Sequence, residues 1–232
     1  MKNYQKLLEI TVAHLQTKKQ ILFLTTSNRW RNEKGGEEPK SSQLAKKMAE
    51  KIGVEKVKII DVSKLKIYPC EGNVSTVHGN TCGVPEALLK DGEKNPSGCH
   101  RCWASLNNPD DELWQISKAL FESEAVVFFG SVRWGQMNAF YQKLIERLTW
   151  LENRHSTLGE DNVLKNIEAG IIAVGHNWRA DEVVEVQKKV FSFFGFQVPA
   201  ELSWAWSFTT EDDESNDGYL ADAKDFKETF LK

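Results

Sequence analysis

Hydroxyl, amide and guanidinium side chains directly follow the first apolar run of the chain. The run Ile21-Leu22-Phe23-Leu24 ends at Thr25-Thr26-Ser27-Asn28-Arg29, and Ser41-Ser42-Gln43 opens the next helical pattern. Free backbone N–H groups and the dipole at a helix N-terminus favour an anion, so this part of the chain could bind a phosphate. Serine is also a preferred helix cap, and on these residues alone capping by Ser41 without a ligand is the favoured interpretation.

A second group of chemically active side chains consists of four cysteines, Cys70, Cys82, Cys99 and Cys102. Only the last two form a C-x-x-C pair, and the others are widely spaced. Ordinary reduced thiols, a zinc or iron–sulfur site and a redox dithiol are all compatible with this pattern. Because no second tight pair exists, we favour reduced thiols and assign no metal ligand. His78 and His100 could join a metal site but are more often surface or hydrogen-bonded histidines.

Several well-known motifs are absent from the sequence. It contains no G-x-G-x-x-G after the first strand, no G-x-x-x-x-G-K-[ST], no G-x-S-x-G and no H-E-x-x-H. Dinucleotide-binding Rossmann, P-loop, hydrolase and zincin interpretations therefore lose their main support. No catalytic nucleophile or general base is assigned.

Length, composition and charge exclude further classes. With 232 residues, of which 41% are hydrophobic, the chain can bury a core without disulfides or metals. Its 30 basic and 33 acidic residues give a net charge of -3, which offers no general attraction for nucleic acid or an anionic membrane. No stretch approaches the roughly 20 apolar residues of a membrane span, and the cysteines are too few for a secreted disulfide framework. We expect a cytoplasmic protein with no nucleic-acid and no membrane partner.

The alternation of apolar runs with helical periodicity predicts an α/β fold in a single domain covering residues 1–232. A leading helix (1–17) precedes a doubly wound, five-stranded parallel sheet with helices on both faces. An irregular, cysteine-containing insertion (63–108) follows strand 2, and a helix is predicted to begin at Asn108-Pro109-Asp110-Asp111-Glu112.

Three of the predicted strands end in polar or glycine-containing loops, at 25–29, 130–135 and 175–178. In parallel sheets of this type, ligands bind beyond the carboxyl ends of the strands at the point where the strand order reverses. We therefore expect these loops to meet at one binding site.

The second of these loops carries a resemblance to a known family. Gly130-Ser131-Val132-Arg133-Trp134-Gly135 resembles the S/T-P-V-Y-W-G loop of flavodoxin-like NAD(P)H-dependent FMN reductases, which include quinone reductases and iron–sulfur flavoproteins. The following helix ends in Leu144-Ile145-Glu146-Arg147, similar to the family's K-x-F-I-D-R. Ser41-Ser42-Gln43 is similar to the S-N-T after the first phosphate loop, and Asp110-Asp111-Glu112 to acidic residues before the preceding helix. The resemblance spans about residues 20 to 208.

This resemblance implies a flavodoxin-like fold and an FMN-binding oxidoreductase that takes hydride from NAD(P)H and reduces a quinone, flavin or other small acceptor. It implies that the FMN phosphate is bound by Ser27, Arg29, Ser41, Ser42 and Gln43. The isoalloxazine would lie against Val132, Arg133, Trp134 and Gly135, together with Gly175, His176 and Asn177. Hydride transfer to a flavin requires positioning rather than a protein nucleophile. The resemblance also implies a homodimer or homotetramer.

Alternative functions remain open at this point. The chain could be a flavodoxin-type electron carrier or an FMN sensor without nicotinamide turnover. It could also be a metal-binding interaction protein that uses the cysteines, since iron–sulfur flavoproteins carry a cluster motif after the second strand. Arg29, Arg31 and Arg133 could favour a phosphorylated nicotinamide, although solvated loop arginines are the favoured interpretation.

Overall fold

The computed structural model describes residues 2–29 and 36–232. Its strands are β1 (Ile21–Thr25), β2 (Val57–Asp61), β3 (Ala125–Arg133), β4 (Gln136–Met137), β5 (Glu168–Gly175) and β6 (Ser203–Ser207). The parallel order is β2-β1-β3-β5-β6, and β4 pairs antiparallel with β3. The five-stranded parallel sheet is thus confirmed, with β4 as a short addition that the sequence analysis did not predict.

The helices are α1 (Tyr4–Gln16), α2 (Lys40–Ile52), α3 (Trp103–Asn107), α4 (Leu113–Phe121), α5 (Ala139–Ser156), α6 (Ala180–Phe194) and α7 (Asn216–Phe230). Successive side chains of a strand point to opposite faces, and two separate hydrophobic cores result. Phe23 packs with residues of α1, α2 and α7, whereas Leu22 packs with residues of α4, α5 and α6. Within residues 2–29 and 36–232, none of the helices combines the length and the apolar character needed to cross a bilayer.

Residues 62–112, which we call the β2–α4 segment, contain single helical turns at Val62–Lys64 and Pro85–Ala87 and the short helix α3. Arg147 of α5 holds this segment to the domain. Its guanidinium donates to both carboxylate oxygens of Asp111, at 2.7 and 3.0 Å, and to the carbonyl of Tyr68 at 2.7 Å. The side chains of Arg147 and Asp111 are both fully buried.

The predicted start of the fourth helix at Asn108 is wrong, because α4 begins at Leu113. Asp111 is not an exposed residue of a first turn. Its carboxylate accepts from the backbone N–H groups of Tyr68 and Leu113, at 3.0 and 3.1 Å, and binds Arg147. These interactions fix residues before the helix in a non-helical turn, as Asp side chains commonly do.

Candidate functional site

A cavity of about 640 Å³ lies at the carboxyl ends of β1, β3 and β5. The chain passes from β1 to β2 on one side and then to β3 on the other, so this is where the strand order reverses. The three loops predicted to meet do meet here. The lining residues include Ser27, Asn28, Arg29, Lys40, Ser41, Ser131, Val132, Arg133, Trp134, Gly135, Gly175, His176, Asn177, Trp178, Asp212, Glu214, Tyr219 and Asp222.

Two of the predicted phosphate ligands, Ser42 and Gln43, are not among the described residues that line this cavity. Ser42 is buried in α2. The side-chain amide of Gln43 donates to the carbonyl of Glu38 at 2.6 Å.

The N-terminus of α2 forms one end of the cavity. Ser41 does not cap the helix, because the N-cap residue is Pro39 and, among the described residues, no side chain accepts a capping hydrogen bond. The interpretation of Ser41 as a cap is therefore wrong. Its hydroxyl donates to Oγ of Ser27 at 2.8 Å, and both side chains are buried. The two serines thus place hydroxyl groups at the α2 end of the cavity, next to the positive end of the helix dipole.

Thr26 and Asn138 fix the first loop against the third strand. The hydroxyl of Thr26 donates to the carbonyl of Phe129 at 3.1 Å and accepts from the side-chain amide of Asn138 at 3.0 Å. Gly130 makes this approach possible, because a Cβ there would come within 2.6 Å of the Thr26 hydroxyl and 2.5 Å of Met137. A larger residue would push the first loop away from β3.

The segment predicted as a loop at 130–135 is instead a β-hairpin. Strand β3 continues to Arg133, which pairs with Gln136 of β4, and Trp134 and Gly135 form the turn with φ of 51° and 69°. Positive φ at both central residues is typical of type I′ turns, which match the twist of a hairpin. This turn was not predicted from the sequence, because tryptophan rarely adopts a positive φ.

The tip of the hairpin lies beside the loop that follows β5. A Cβ on Gly135 would come within 3.2 Å of both Trp178 and Arg179, and the Arg179 guanidinium lies 4.9 Å from the centre of the Trp178 ring. Trp134 is 92% exposed and Trp178 48% exposed. Two large aromatic side chains therefore stand at the mouth of the cavity with much of their surface in solvent.

Three ionisable side chains from separate elements meet at the α2 end of the cavity. The ammonium of Lys40 is paired with the carboxylate of Asp222 in α7, and Nδ1 of His176 lies 2.6 Å from Oδ2 of Asp222. Nε2 of His176 lies 2.7 Å from the carbonyl oxygen of Asp213. Burial, followed by the nearby positive charge of Arg29, lowers the pKa of Lys40 to about 8.

The mouth of the cavity carries charges of both signs. Arg29 and Arg133 line it together with Asp212 and Glu214, and Glu214 accepts from the side-chain amide of Asn177 at 3.0 Å. The guanidinium of Arg29 lies 2.5 Å from a carboxylate oxygen of Glu37. Arg31, which the sequence analysis considered with these arginines, lies outside the described residues.

The cysteines lie apart from this cavity, in the β2–α4 segment. All four are free thiols, and among residues 2–29 and 36–232 no group of three or more His, Cys, Asp or Glu side chains is arranged to hold a metal ion. Burial raises the pKa of the Cys82 thiol to about 11. His100 is fully buried between the hydroxyls of Ser117 and Ser105, at 2.8 and 2.9 Å.

Sequence reasoning missed Lys40, Asp222 and Tyr219 as cavity residues. Lys40 could have been found, because it is the first residue of the helix that the phosphate interpretation used. Asp222 and Tyr219 belong to α7, nearly two hundred residues from the first loop, and no local pattern connects them with it.

No family model matches this chain, and no curated protein matches it in sequence. Solved structures are similar in fold. The structure of RosB with the bound intermediate 8-demethyl-8-formylriboflavin-5'-phosphate has a TM-score of 0.58 at 12% identity, over 92% of this chain and 77% of that one. An azoreductase from Bacillus anthracis str. Sterne gives 0.51 at 12% identity, over 92% and 97% of the two chains. The azoreductase AzrA gives 0.52 at 13% identity, over 91% and 97%. Together with the strand order, these similarities show that the chain has a flavodoxin-like α/β fold.

Proposed function

We propose that this protein is a flavin-dependent oxidoreductase that binds FMN, takes hydride from NADH or NADPH and reduces a small acceptor. The observation that carries the proposal is the cavity, which joins an anion-binding helix N-terminus to a glycine-containing hairpin and loop. The similar RosB structure contains a derivative of riboflavin phosphate, and two other similar structures are azoreductases. At these identities the likeness supports the fold alone, so the cavity supports the function.

The α2 end of the cavity fits a phosphate. Ser27 and Ser41 supply hydroxyl groups, the helix N-terminus supplies positive potential, and Lys40 supplies a cation. Backbone and hydroxyl donors combined with one or two cations are the usual environment of a phosphate ester. Arg29 also lines the cavity, and its guanidinium is paired with Glu37.

The opposite end fits a flat ring. It is lined by Val132, Trp134 and Gly135 of the hairpin, by Gly175 at the end of β5 and by Asn177 of the loop that follows. Glycine backbone allows close approach of a ring, and amide groups near its polar edge can stabilise negative charge. The volume of about 640 Å³ lies within the range of cofactor pockets.

Bound FMN would supply the redox chemistry, because it accepts hydride from a nicotinamide and passes electrons to an acceptor. The residues of this chain bind and orient the ring and the phosphate. Trp134, Trp178 and Tyr219 line the cavity with exposed aromatic surface, against which a planar ring could stack. No protein nucleophile is needed for these roles.

The first test is an absorption spectrum after the purified protein is soaked with FMN and desalted, followed by anaerobic addition of NADH or NADPH. A retained two-band flavin spectrum that bleaches with the nicotinamide supports the proposal. Parallel samples with FAD distinguish the two flavin nucleotides. Retention without bleaching would favour an electron carrier or sensor, and loss of all flavin on desalting together with no binding at equilibrium would refute the proposal.

A serine pair provides a matched test of the phosphate end. Ser41→Ala removes a hydroxyl at the cavity, and we expect the Kd for FMN to rise at least tenfold, because a hydrogen bond to a charged group contributes about 1.5–3 kcal/mol. Ser42→Ala is the control, since Ser42 is equally buried in the next position of α2 but does not line the cavity. Equal Kd values for the two variants would show that the phosphate does not bind at Ser41.

We also propose that the protein self-associates through α6. Val186 and Phe193 on this helix are 54% and 69% exposed. Acidic residues, including Asp181 and Glu185, occupy the first half of α6, and lysines such as Lys189 the second. Two copies of α6 packed antiparallel about a two-fold axis would join opposite charges around an apolar centre.

Sedimentation or light scattering tests this proposal. Phe193→Glu should shift the protein from dimer to monomer at micromolar concentration. Val54→Glu is the control, because Val54 is 66% exposed elsewhere on the molecule. A monomeric wild-type protein would contradict the α6 interface.

A further inference from the structure

The contact between α2, α7 and the loop after β5 is unusual because it buries charges beside an open cavity. Asp222 has a side-chain exposure of 4%, His176 of 12% and Lys40 of 15%. Burying such groups costs several kcal/mol each unless they are paired. Two of the three elements, α2 and α7, are distant in sequence. Both contribute apolar residues to the same hydrophobic core, so their packing does not depend on an ionic contact.

Lys40 is held from two sides. Its ammonium pairs with Asp222 and lies 5.4 Å from the centre of the Trp206 ring and 5.9 Å from that of Phe226. Carboxylate and ring faces both attract a cation. These contacts restrict a flexible side chain to the cavity wall, and Lys40 lines the cavity together with Ser27 and Ser41.

His176 orients the carboxylate and has no nitrogen free for a ligand. A carbonyl oxygen only accepts hydrogen bonds, so Nε2 donates its proton to Asp213. At Nδ1 one proton lies between the imidazole and Asp222. His176 therefore acts on the phosphate end through Asp222, although it is itself one of the residues that line the cavity.

We propose that Lys40 is the residue that selects a phosphorylated flavin over riboflavin, and that Asp222 and His176 are positioning residues that hold its ammonium at the phosphate end. This inference rests on the proposed function and adds to it the side chain that recognises the phosphate. Riboflavin has the same ring and ribityl chain but no charge for Lys40 to bind, so the change in the ratio of the two affinities when Lys40 is replaced measures the contribution of this residue.

The pairing also predicts how discrimination changes with pH. The charged and titratable groups around Lys40 are Arg29 and Glu37 before α2, Asp222 and Asp225 on α7, and His176. Burial lowers the pKa of Lys40 to about 8, whereas a phosphate monoester with a second pKa of about 6 remains a dianion above neutrality. The affinity for FMN should therefore fall as the pH rises through about 8, and the affinity for riboflavin should not.

The experiment measures Kd for FMN and for riboflavin by fluorescence quenching, from pH 6.5 to 9.5. At pH 7, Lys40→Met should weaken FMN binding at least tenfold and change riboflavin binding less than twofold. Lys40→Arg should retain discrimination and lose the pH dependence, because a guanidinium stays charged. Lys47→Met is the control, since Lys47 lies on α2 outside the cavity lining.

The positioning role has its own variant. Asp222→Asn should reduce the ratio of riboflavin Kd to FMN Kd by about threefold to tenfold, while circular dichroism and the thermal midpoint establish that the variant is folded. Tighter FMN binding by Asp222→Asn would show that the carboxylate competes with the phosphate and would overturn the positioning role. An unchanged ratio in Lys40→Met would overturn the selection role. A wild-type protein that binds neither flavin would instead refute the proposed function itself.

Discussion

The cavity and the β2–α4 segment each have a buried ion pair and residues with left-handed backbone. The two regions differ in what surrounds the ion pair and in which residue types are left-handed. Asp111 of the segment and Arg147 of α5 are fully buried and paired with each other, and the left-handed positions of the segment are glycines, such as Gly72 and Gly98. At the cavity, Lys40 borders open space, and the two non-glycine residues with positive φ in the described chain, Trp134 and Arg179, lie at its mouth. A buried ion pair alone therefore does not mark a site. What distinguishes the candidate site is an ion pair that borders a cavity, with left-handed non-glycine backbone nearby.

The largest expected change in stability comes from breaking the ion pair between Asp111 and Arg147. Asp111→Asn should lower the free energy of unfolding by about 3–5 kcal/mol, because the buried Arg147 loses its counter-charge and has no route to water. Asp222→Asn should lower it by only about 1 kcal/mol, since Lys40 can turn into the cavity. Urea unfolding at pH 7 measures both values, and equal losses would remove the distinction between the two regions.

A second prediction concerns the response of the segment to acid. Burial, followed by the positive charge of Arg147, lowers the pKa of His100 to about 4, whereas in the unfolded chain it is about 6.5. The unfolded state therefore binds an extra proton between these values, and stability falls as the pH drops from 6.5 to 4, by about 1.4 kcal/mol per pH unit.

Urea titrations between pH 4.5 and 7.5 measure this slope. His100→Asn should flatten it. His78→Asn should leave it intact, because His78 is an exposed histidine of the same segment. A slope that survives in His100→Asn would assign the acid response in this pH range to groups other than His100. Asp111 acts at lower pH: the hydrogen bonds from Arg147 and Tyr68 outweigh the opposing effect of burial and lower its pKa. Its stabilisation is therefore lost only below the pKa of about 3.9 that Asp has in an unfolded chain, outside the range of this titration.

The smallest effect tests the strain at the cavity. Trp134→Asn should raise the free energy of unfolding by about 0.5–1 kcal/mol, because asparagine tolerates the left-handed turn and an almost fully exposed tryptophan loses little packing. The same change should weaken binding of planar ligands. A loss of stability would show that Trp134 packs against the protein and that its conformation is not a strained one kept for binding.

The sequence predicted the parts of this molecule that local patterns encode. Apolar runs such as Ile21–Thr25 predicted the parallel strands, and the loops after them predicted where the cavity lies. Residues whose role depends on distant partners were not accessible. Asp111 was read as part of a helix, because its bonds to Tyr68 and Arg147 join segments far apart in sequence.

The same limit applies to the candidate site. The acidic run from Glu211 to Asp217 reads as a solvated loop, and it is largely exposed, yet Asp212 and Glu214 line the cavity. Only the tertiary fold places α7 over the end of α2. The hairpin was missed for a different reason, since Trp134 occupies a turn position where asparagine or glycine is the usual signal.

The position of β2 has a consequence for how such a chain can diversify. β2 is the edge strand of the sheet, and none of residues 62–112 lines the cavity. Material inserted after an edge strand leaves the central strands in register. The length and sequence of the β2–α4 segment can therefore change without disturbing the central strands, provided that a carboxylate still pairs with Arg147. Changes in length should be tolerated there more readily than at the edge of the sheet that carries the cavity.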